Sequence, residues 1–315
     1  MERVVFMGTP EFAVPSLQAL HAQYPVVLVV TQPDRPAGRS RMLRPPAVKV
    51  AAQELGLPVY QPDSLRSPQA LAVLQRAQPD VIVVAAFGEI LRQNVLSLPP
   101  HGCLNVHASL LPRHRGAAPV AAAILAGDAI TGVTIMLMDS GLDTGPILAQ
   151  AEERIRPEDT TSALTERLAQ LGASLLAQTL PRWLRSELRP QPQDEALATY
   201  APPIRKEDGL IDWTEPASAI ERQVRAFDPW PGAYTYWRGR RLRITRAGVL
   251  ADWCGNEEPG TVLMTREGVA VATGEGALLL RDLQLEGKRC LDCVSFLRGQ
   301  PEFVGSILGP EIAHV

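Results

Sequence analysis

Three short unbroken runs of β-branched and apolar residues, 3–7 (RVVFM), 26–31 (VVLVVT) and 80–87 (DVIVVAAF), constrain the fold more than any other feature of the chain. Successive side chains on a strand point to opposite faces, so a run without polar alternation needs both faces buried. That is the pattern of a parallel sheet covered by helices on both sides. Stretches with helical spacing lie between the runs: 15–23 with Leu17 and Leu20, 48–55 with Val50, Ala51 and Leu55, and 70–78 with Leu71 and Leu74. Further on, 103–107 reads as a strand, 117–126 as a helix ended by Gly127, 132–138 as an alternating strand and 162–184 as a helix. Residues 1–188 are expected to form a doubly wound, mostly parallel α/β domain, with ligands at the carboxyl ends of its strands near a switch in strand order.

The chain changes character after this. Residues 189–205 (RPQPQDEALATYAPPIR) hold four prolines, few large apolar residues and no periodicity, the composition of an ordered or semi-rigid linker. Beyond it, 240–245, 260–264, 269–273 and 277–283 are short strands punctuated by Gly and Pro, preceded by one helix at 217–226. Residues 206–315 are therefore expected to form a small β-barrel or sandwich. At 315 residues with 46% apolar and 21% charged side chains, the chain suits two domains and excludes disorder.

With the first strand opening at residue 3 no leader is expected, and no apolar run reaches the ~18 residues of a membrane span, so a cytoplasmic protein is expected. Four cysteines fit a reducing compartment, and Cys290-x-x-Cys293 lacks the second Cys/His pair of a zinc ribbon, so no metal is expected.

Met7-Gly8-Thr9-Pro10-Glu11-Phe12 links a strand to a helix but lacks the further glycines of G-x-G-x-x-G, which disfavours a dinucleotide. No G-x-S-x-G elbow, P-loop or H-E-x-x-H is present, so a covalent hydrolase, a nucleotidase and a zinc protease have no support. The informative segment is 105–116 (NVHASLLPRHRG). Asn105 and His107 are two apart on a strand and project from one face. A neutral His can take a proton near pH 7, and an Asn amide can donate to an oxygen that gains negative charge, a pairing suited to acyl transfer. Structural hydrogen bonds at a strand end are the alternative, and the residues alone leave both open. Downstream, 139–146 (DSGLDTGP) can aim a carboxylate at the imidazole or be an ordinary acidic turn.

Together, Asn105–His107 with SLLPRHRGAAP (109–119) and DSGLDTG (139–145) resemble the signature of formyltransferases that use 10-formyltetrahydrofolate. FMGTPEFAVPSLQAL, TQPDRPAGR (31–39), GVTIMLMDSGLDTG (132–145) and RAFDPWPGAY (225–234) carry the likeness to the methionyl-tRNA formyltransferase family over nearly the whole chain. His114 stands where that family often has an aromatic, and Ala108 where Gly is common. The resemblance implies a Rossmann-like formyltransferase domain at 1–188, a linker at 189–205 and an OB-like β-barrel at 206–315 that binds tRNA. It implies transfer of a formyl group from 10-formyltetrahydrofolate to the α-amino group of methionine on initiator methionyl-tRNA for translation initiation, by a monomer without a metal. By position, Asn105 would stabilise the oxyanion, His107 would assist proton transfer from the amine, and Asp143 would orient His107 and aid protonation of the leaving nitrogen. Ser109, Leu110, Leu111, Pro112, Phe87, Gly88, Ile90, Leu91 and Asp139 would form the folate site.

A tRNA partner must be squared with 31 basic against 34 acidic residues. Residues 35–53 hold Arg35, Arg39, Arg41, Arg44 and Lys49 with no acid, in a punctuated loop too irregular for a helix before about Val48. A second acid-free cluster contains Arg238, Arg240, Arg241, Arg243 and Arg246, of which Arg240 and Arg243 are the expected tRNA contacts. Such clusters can hold phosphates, and a solvated basic face is the alternative. The competing functions are formylation of a ribonucleotide amine or an aminosugar nucleotide, a catalytically idle tRNA-binding module, and a nucleotide-sugar oxidoreductase on the same scaffold.

Overall fold

The computed structural model describes residues 2–37 and 42–309, and the chain divides into two compact units. One comprises Met1–Pro119, Ile130–Arg154 and Leu164–Ala201; the other comprises Val120–Ala129, Ile155–Ala163 and Pro202–Val315. In chain order the elements as far as the end of the first unit are β1 (Val4–Gly8), α1 (Val14–His21), β2 (Val26–Val30), β3 (Arg35–Ala37), β4 (Met42–Arg44), α2 (Ala47–Glu54), β5 (Val59–Tyr60), α3 (Pro68–Ala77), β6 (Val81–Ala85), α4 (Gln93–Leu96), β7 (Cys103–His107), β8 (Arg115–Gly116), α5 (Pro119–Ala126), β9 (Ile130–Leu137), β10 (Ile147–Arg154), α6 (Thr161–Leu184) and β11 (Tyr200–Ala201).

The central sheet has the order β10-β9-β7-β6-β1-β2-β5. Its strands from β5 to β7 are parallel, as the unbroken apolar runs demand. Val5, Met7, Leu28, Val30, Ile82 and Val84 enter one core with Ala70 and Leu74 of α3. Their neighbours Val4, Phe6, Val29, Val81 and Val83 are fully or almost fully buried too. Helix α3 starts where Ser67 caps it by accepting from the Ala70 N–H at 3.1 Å, with Pro68 in its first turn. Helix α6 turns Leu164, Leu168, Gly172, Leu176 and Leu180 inward at four-residue spacing. At Gly172 a methyl group would lie 2.9 Å from Val106 Cγ1, so only glycine lets the helix approach this closely.

Three features differ from the sequence-based expectation. Strand β9 runs antiparallel to β7, and β10 adds an antiparallel edge where no strand is expected. One face of an edge strand meets water, and the half-polar ILAQAEER satisfies that without an apolar run. The basic stretch after residue 34 is a hairpin: β3 pairs with β4, Arg35 opposite Arg44. Arg39 and Arg41 lie outside the described residues.

The second unit carries α7 (Ala217–Ala226), β12 (Tyr234–Trp237), β13 (Arg240–Leu250), β14 (Val262–Met264), β15 (Val269–Ala272), β16 (Ala277–Leu285), β17 (Leu291–Asp292) and α8 (Cys293–Gly299). Its antiparallel sheet runs β12-β13-β16-β15-β14. Gly309 bridges to Tyr236 in β12, and Ile307 bridges to Thr261 beside β14, so a short C-terminal segment links both edges of the curled sheet. Its core contains Trp237, Leu242, Ile244, Leu278, Phe296 and Phe303.

Candidate functional site

Strand β7 sets the first two side chains: Leu104 and Val106 are buried in the fold while Asn105 and His107 share the other face. Asp143 arrives by a less direct route. Because β9 is antiparallel to β7, Leu137 pairs with Leu104, and the loop beyond must turn back to bring Asp143 level with Asn105 and His107. Asn105 Nδ2 donates to Asp143 Oδ1 at 3.4 Å, and the Gly116 N–H donates to Asp143 Oδ2 at 2.8 Å. His107 Nδ1 lies 3.7 Å from that same Oδ2, and its Nε2 lies 3.1 Å from the carbonyl oxygen of His114.

Both ring nitrogens of His107 therefore face oxygen acceptors. The His114 carbonyl can only accept, so Nε2 carries the N–H toward it, while Nδ1 faces the carboxylate at more than hydrogen-bond distance. The His107 side chain is 6% exposed and that of Asp143 is 14%, so the carboxylate is the more accessible member of the pair. His114 (φ 56°) and Asp143 (φ 53°) both adopt the left-handed conformation. Non-glycine residues rarely do so, and they keep it only where surrounding contacts hold them.

Much of that holding comes from residues 189–201. Gln193 Nε2 donates to the carbonyl oxygens of Asp143 (2.8 Å) and Gly145 (2.7 Å). Its Oε1 accepts from Arg115 Nε (3.0 Å) and Nη2 (2.8 Å). The fully buried Arg115 is clamped by Glu195 through Nη1 at 2.9 Å and Nη2 at 2.8 Å. That guanidinium holds the Glu195 carboxyl below the usual carboxylate range, so the clamp is complete at neutral pH and is lost as pH falls through the depressed value. Thr199 Oγ1 accepts from His114 N–H at 2.8 Å, and β11 pairs with β8, placing Ala201 opposite Gly116. A side chain at Gly116 would run into the Ala201 carbonyl at 2.6 Å. Composition alone gave these residues no role: a lone Gln in a Pro-rich stretch carries no periodicity and no motif.

The remaining candidate site residues fall into three groups. Thr134 accepts from the Leu111 N–H (3.0 Å) and from Gln150 Nε2 (3.0 Å) and donates to the Ser109 carbonyl (2.7 Å), which fixes 109–112. Ser109 is buried and spends its hydroxyl on the Arg113 carbonyl at 2.7 Å; Leu111 is buried, and Leu110 and Pro112 are half-buried. At the end of β6, Thr9 Oγ1 donates to the Phe87 carbonyl at 2.8 Å. Phe87 and Leu91 face the core, while Gly88 and Ile90 are exposed. Asp139 closes its own loop, accepting from the Gly141 N–H (3.0 Å) and Thr144 Oγ1 (2.7 Å). A methyl group at Gly145 would collide with the Leu137 carbonyl oxygen. Gly145→Ala is therefore expected to lower stability by about 1–3 kcal/mol, measured as a fall in Tm.

The basic clusters look different once folded. Lys49 pairs with Asp34 at 2.8 Å, one residue outside the acid-free window. Hydrogen bonds from Gln61 and then Lys49 hold the Asp34 carboxyl below its ordinary value. Arg35 and Arg44 are exposed on the hairpin. In the second unit Arg238 pairs with Glu302 (2.9 Å) and Arg246 with Asp282 (2.6 Å). Arg240 donates to the Glu286 carbonyl at 2.9 Å, and Arg241 stacks 3.8 Å over the Tyr234 ring. Arg243 bonds the Pro229 carbonyl (2.8 Å) and reaches Asp228 (3.4 Å), with Gly232 packed against its guanidinium. The acids that pair with Arg238, Arg243 and Arg246 come from other strands and loops. Among the described residues, no group of His, Cys, Asp and Glu has metal-site geometry, and no helix is long and apolar enough to cross a membrane.

Residues 2–180 match the formyl transferase family, and residues 203–301 match the formyl transferase C-terminal domain. The chain is 52% identical over 315 residues to a methionyl-tRNA formyltransferase of Roseiflexus sp. (strain RS-1), covering 99% of this chain and 97% of that one. It is 53% identical over 301 residues to a methionyl-tRNA formyltransferase of Chloroflexus aurantiacus, covering 94% of this chain and 96% of the relative. Among solved structures, an N-formyltransferase from Helicobacter canadensis in complex with folinic acid and dTDP-3-aminofucose superposes with a TM-score of 0.67 at 18% identity, over 89% of this chain and 98% of that one. At that identity the likeness concerns the fold.

Proposed function

The chain belongs to the methionyl-tRNA formyltransferase family, and from that premise we propose that it transfers the formyl group of 10-formyltetrahydrofolate to the α-amino group of methionine on initiator methionyl-tRNA. The observation that carries the reading is the convergence of Asn105, His107 and Asp143 at the end of β7. The chain supplies an amide donor, a carboxylate and an imidazole, the set that acyl transfer between two nitrogens needs. The folate donor supplies an activated one-carbon unit on nitrogen. The carboxyl end of β6 suits it: Gly88 (φ 88°) leaves its backbone uncovered, and Ile90 offers an apolar side chain 67% exposed. Ser109, Leu111, Phe87, Leu91 and Asp139 act by shaping the walls, because their side chains are spent on the fold; Leu110 and Pro112 lie beside them.

Asn105 has two amide hydrogens and gives one to Asp143, which leaves the other for the formyl oxygen as it gains charge. Asp143 and His107 act as a unit: the more accessible carboxylate takes the proton released by the attacking amine, and the imidazole shares the charge until the proton passes to the leaving folate nitrogen. The transfer is direct, with no covalent enzyme step.

For the tRNA, the exposed Arg35 and Arg44, with Arg39 and Arg41 between them in sequence, act at the acceptor end, and Lys49 supports them through Asp34. Arg240 meets the backbone, and Arg243 braces the segment 228–232 that precedes β12. The protein works as a cytoplasmic monomer without a metal. Incubation with 10-formyltetrahydrofolate and charged tRNAs tests the reading directly. Formylmethionine is expected on initiator tRNA, with little on elongator tRNA or free methionine. Formylation of an aminosugar nucleotide or a ribonucleotide amine instead would keep the catalytic trio and refute the acceptor.

A further inference from the structure

The segment 189–201 is more than a connection. The Gln193 amide is held at both ends by partners that fix its orientation: two main-chain carbonyls require its NH₂, and the Arg115 fork requires its oxygen. Asp143 is consequently gripped twice from neighbouring residues. The Arg115 side chain acts through Gln193 on the Asp143 main chain, and the Gly116 N–H acts directly on the Asp143 carboxylate. Glu195 locks the other edge of the Arg115 guanidinium. Left-handed backbone at the non-glycine Asp143 (φ 53°) is disfavoured and is held by these contacts.

We propose that Gln193 is a positioning residue: by tying the carbonyls of Asp143 and Gly145 to the buried Arg115 guanidinium, which the exposed Glu195 clamps, it sets the Asp143 carboxylate between Asn105 and His107. The inference rests on the catalytic reading of that trio. Its discriminating variant is Gln193→Glu. The size and the Arg115 contact are retained, but two acceptor carbonyls now face a carboxylate oxygen in place of the donor, so loop 139–145 loses its tie while the segment stays clamped.

The experiment compares wild type, Gln193→Glu, Asp143→Asn and the double variant, with kcat and KM for donor and tRNA, tetrahydrofolate binding stoichiometry, and Tm. A misplacement of the order of an ångström costs up to about 10²-fold. Gln193→Glu is thus expected to lower kcat by roughly 10- to 100-fold, with both KM values within about threefold of wild type and full folate stoichiometry. In the Asp143→Asn background the same change is expected to cost less than about twofold, because a residue acting through Asp143 has nothing left to position. Equal losses in the two backgrounds, or a fall only in Tm and in the fraction of folate-binding protein, would assign Gln193 a structural role and overturn the proposal. Wild-type-like kcat in Gln193→Glu would overturn it as well. Absence of formylation by the wild type would instead refute the catalytic reading, so the two failures are separable.

Discussion

Replacing His107 by alanine is expected to slow formylation of initiator methionyl-tRNA by about 10²–10⁴-fold, the range for loss of a positioned proton-transfer group. The loss should fall on kcat, with KM for both substrates little changed, because the ring is 6% exposed and touches Asp143 and the His114 carbonyl more than open space. Asp143→Asn should behave similarly. It keeps the shape and an acceptor for the Gly116 N–H but removes the charge and the proton-accepting capacity that the pair shares. The two changes together should cost little more than either alone, since residues acting as one unit are strongly non-additive. A His107→Ala enzyme with wild-type rate and an unchanged pH–rate profile would remove the imidazole from the mechanism.

The second large effect belongs to Asn105. Asn105→Ala deletes the side-chain amide proposed to meet the formyl oxygen, and loss of such a donor costs about 10²–10³ in kcat. The effect on binding should be small, because the donor matters most when the formyl oxygen carries negative charge. Asn105 also donates to Asp143 at 3.4 Å, a long bond whose loss costs little stability. Melting curves and tetrahydrofolate binding should therefore remain near wild type while single-turnover transfer collapses. Equal losses in binding and rate would mean that Asn105 holds the ground state and does not act on the transition state.

What could be read from the residues, and what could not, divides along physical lines. The runs at 3–7, 26–31 and 80–87 report burial on both faces, a property of each strand alone, and they became β1, β2 and β6 of the parallel sheet. The face shared by Asn105 and His107 follows from a period of two and needs no tertiary knowledge. Strand β10 escaped because an edge strand is excused from the apolar rule. Arginines 238–246 look uncompensated along the chain, yet Glu302, Asp282 and Asp228 reach them from elsewhere, since charge pairing depends on distance in space.

The sequence by itself determined the alternation of strand and helix and the change of character after residue 188, and its resemblance to a family pointed to the three side chains proposed to move a formyl group. Only the tertiary structure decided how Asp143 meets the other two. Strand β9 runs antiparallel, so its loop must fold back, and the carboxylate stays in place because a stretch with the composition of a linker supplies Gln193, Glu195, Thr199 and Ala201 as its anchors. Hydrogen bonds between residues 50 to 85 positions apart leave no periodicity in the sequence, which is why that anchoring becomes visible only in the fold.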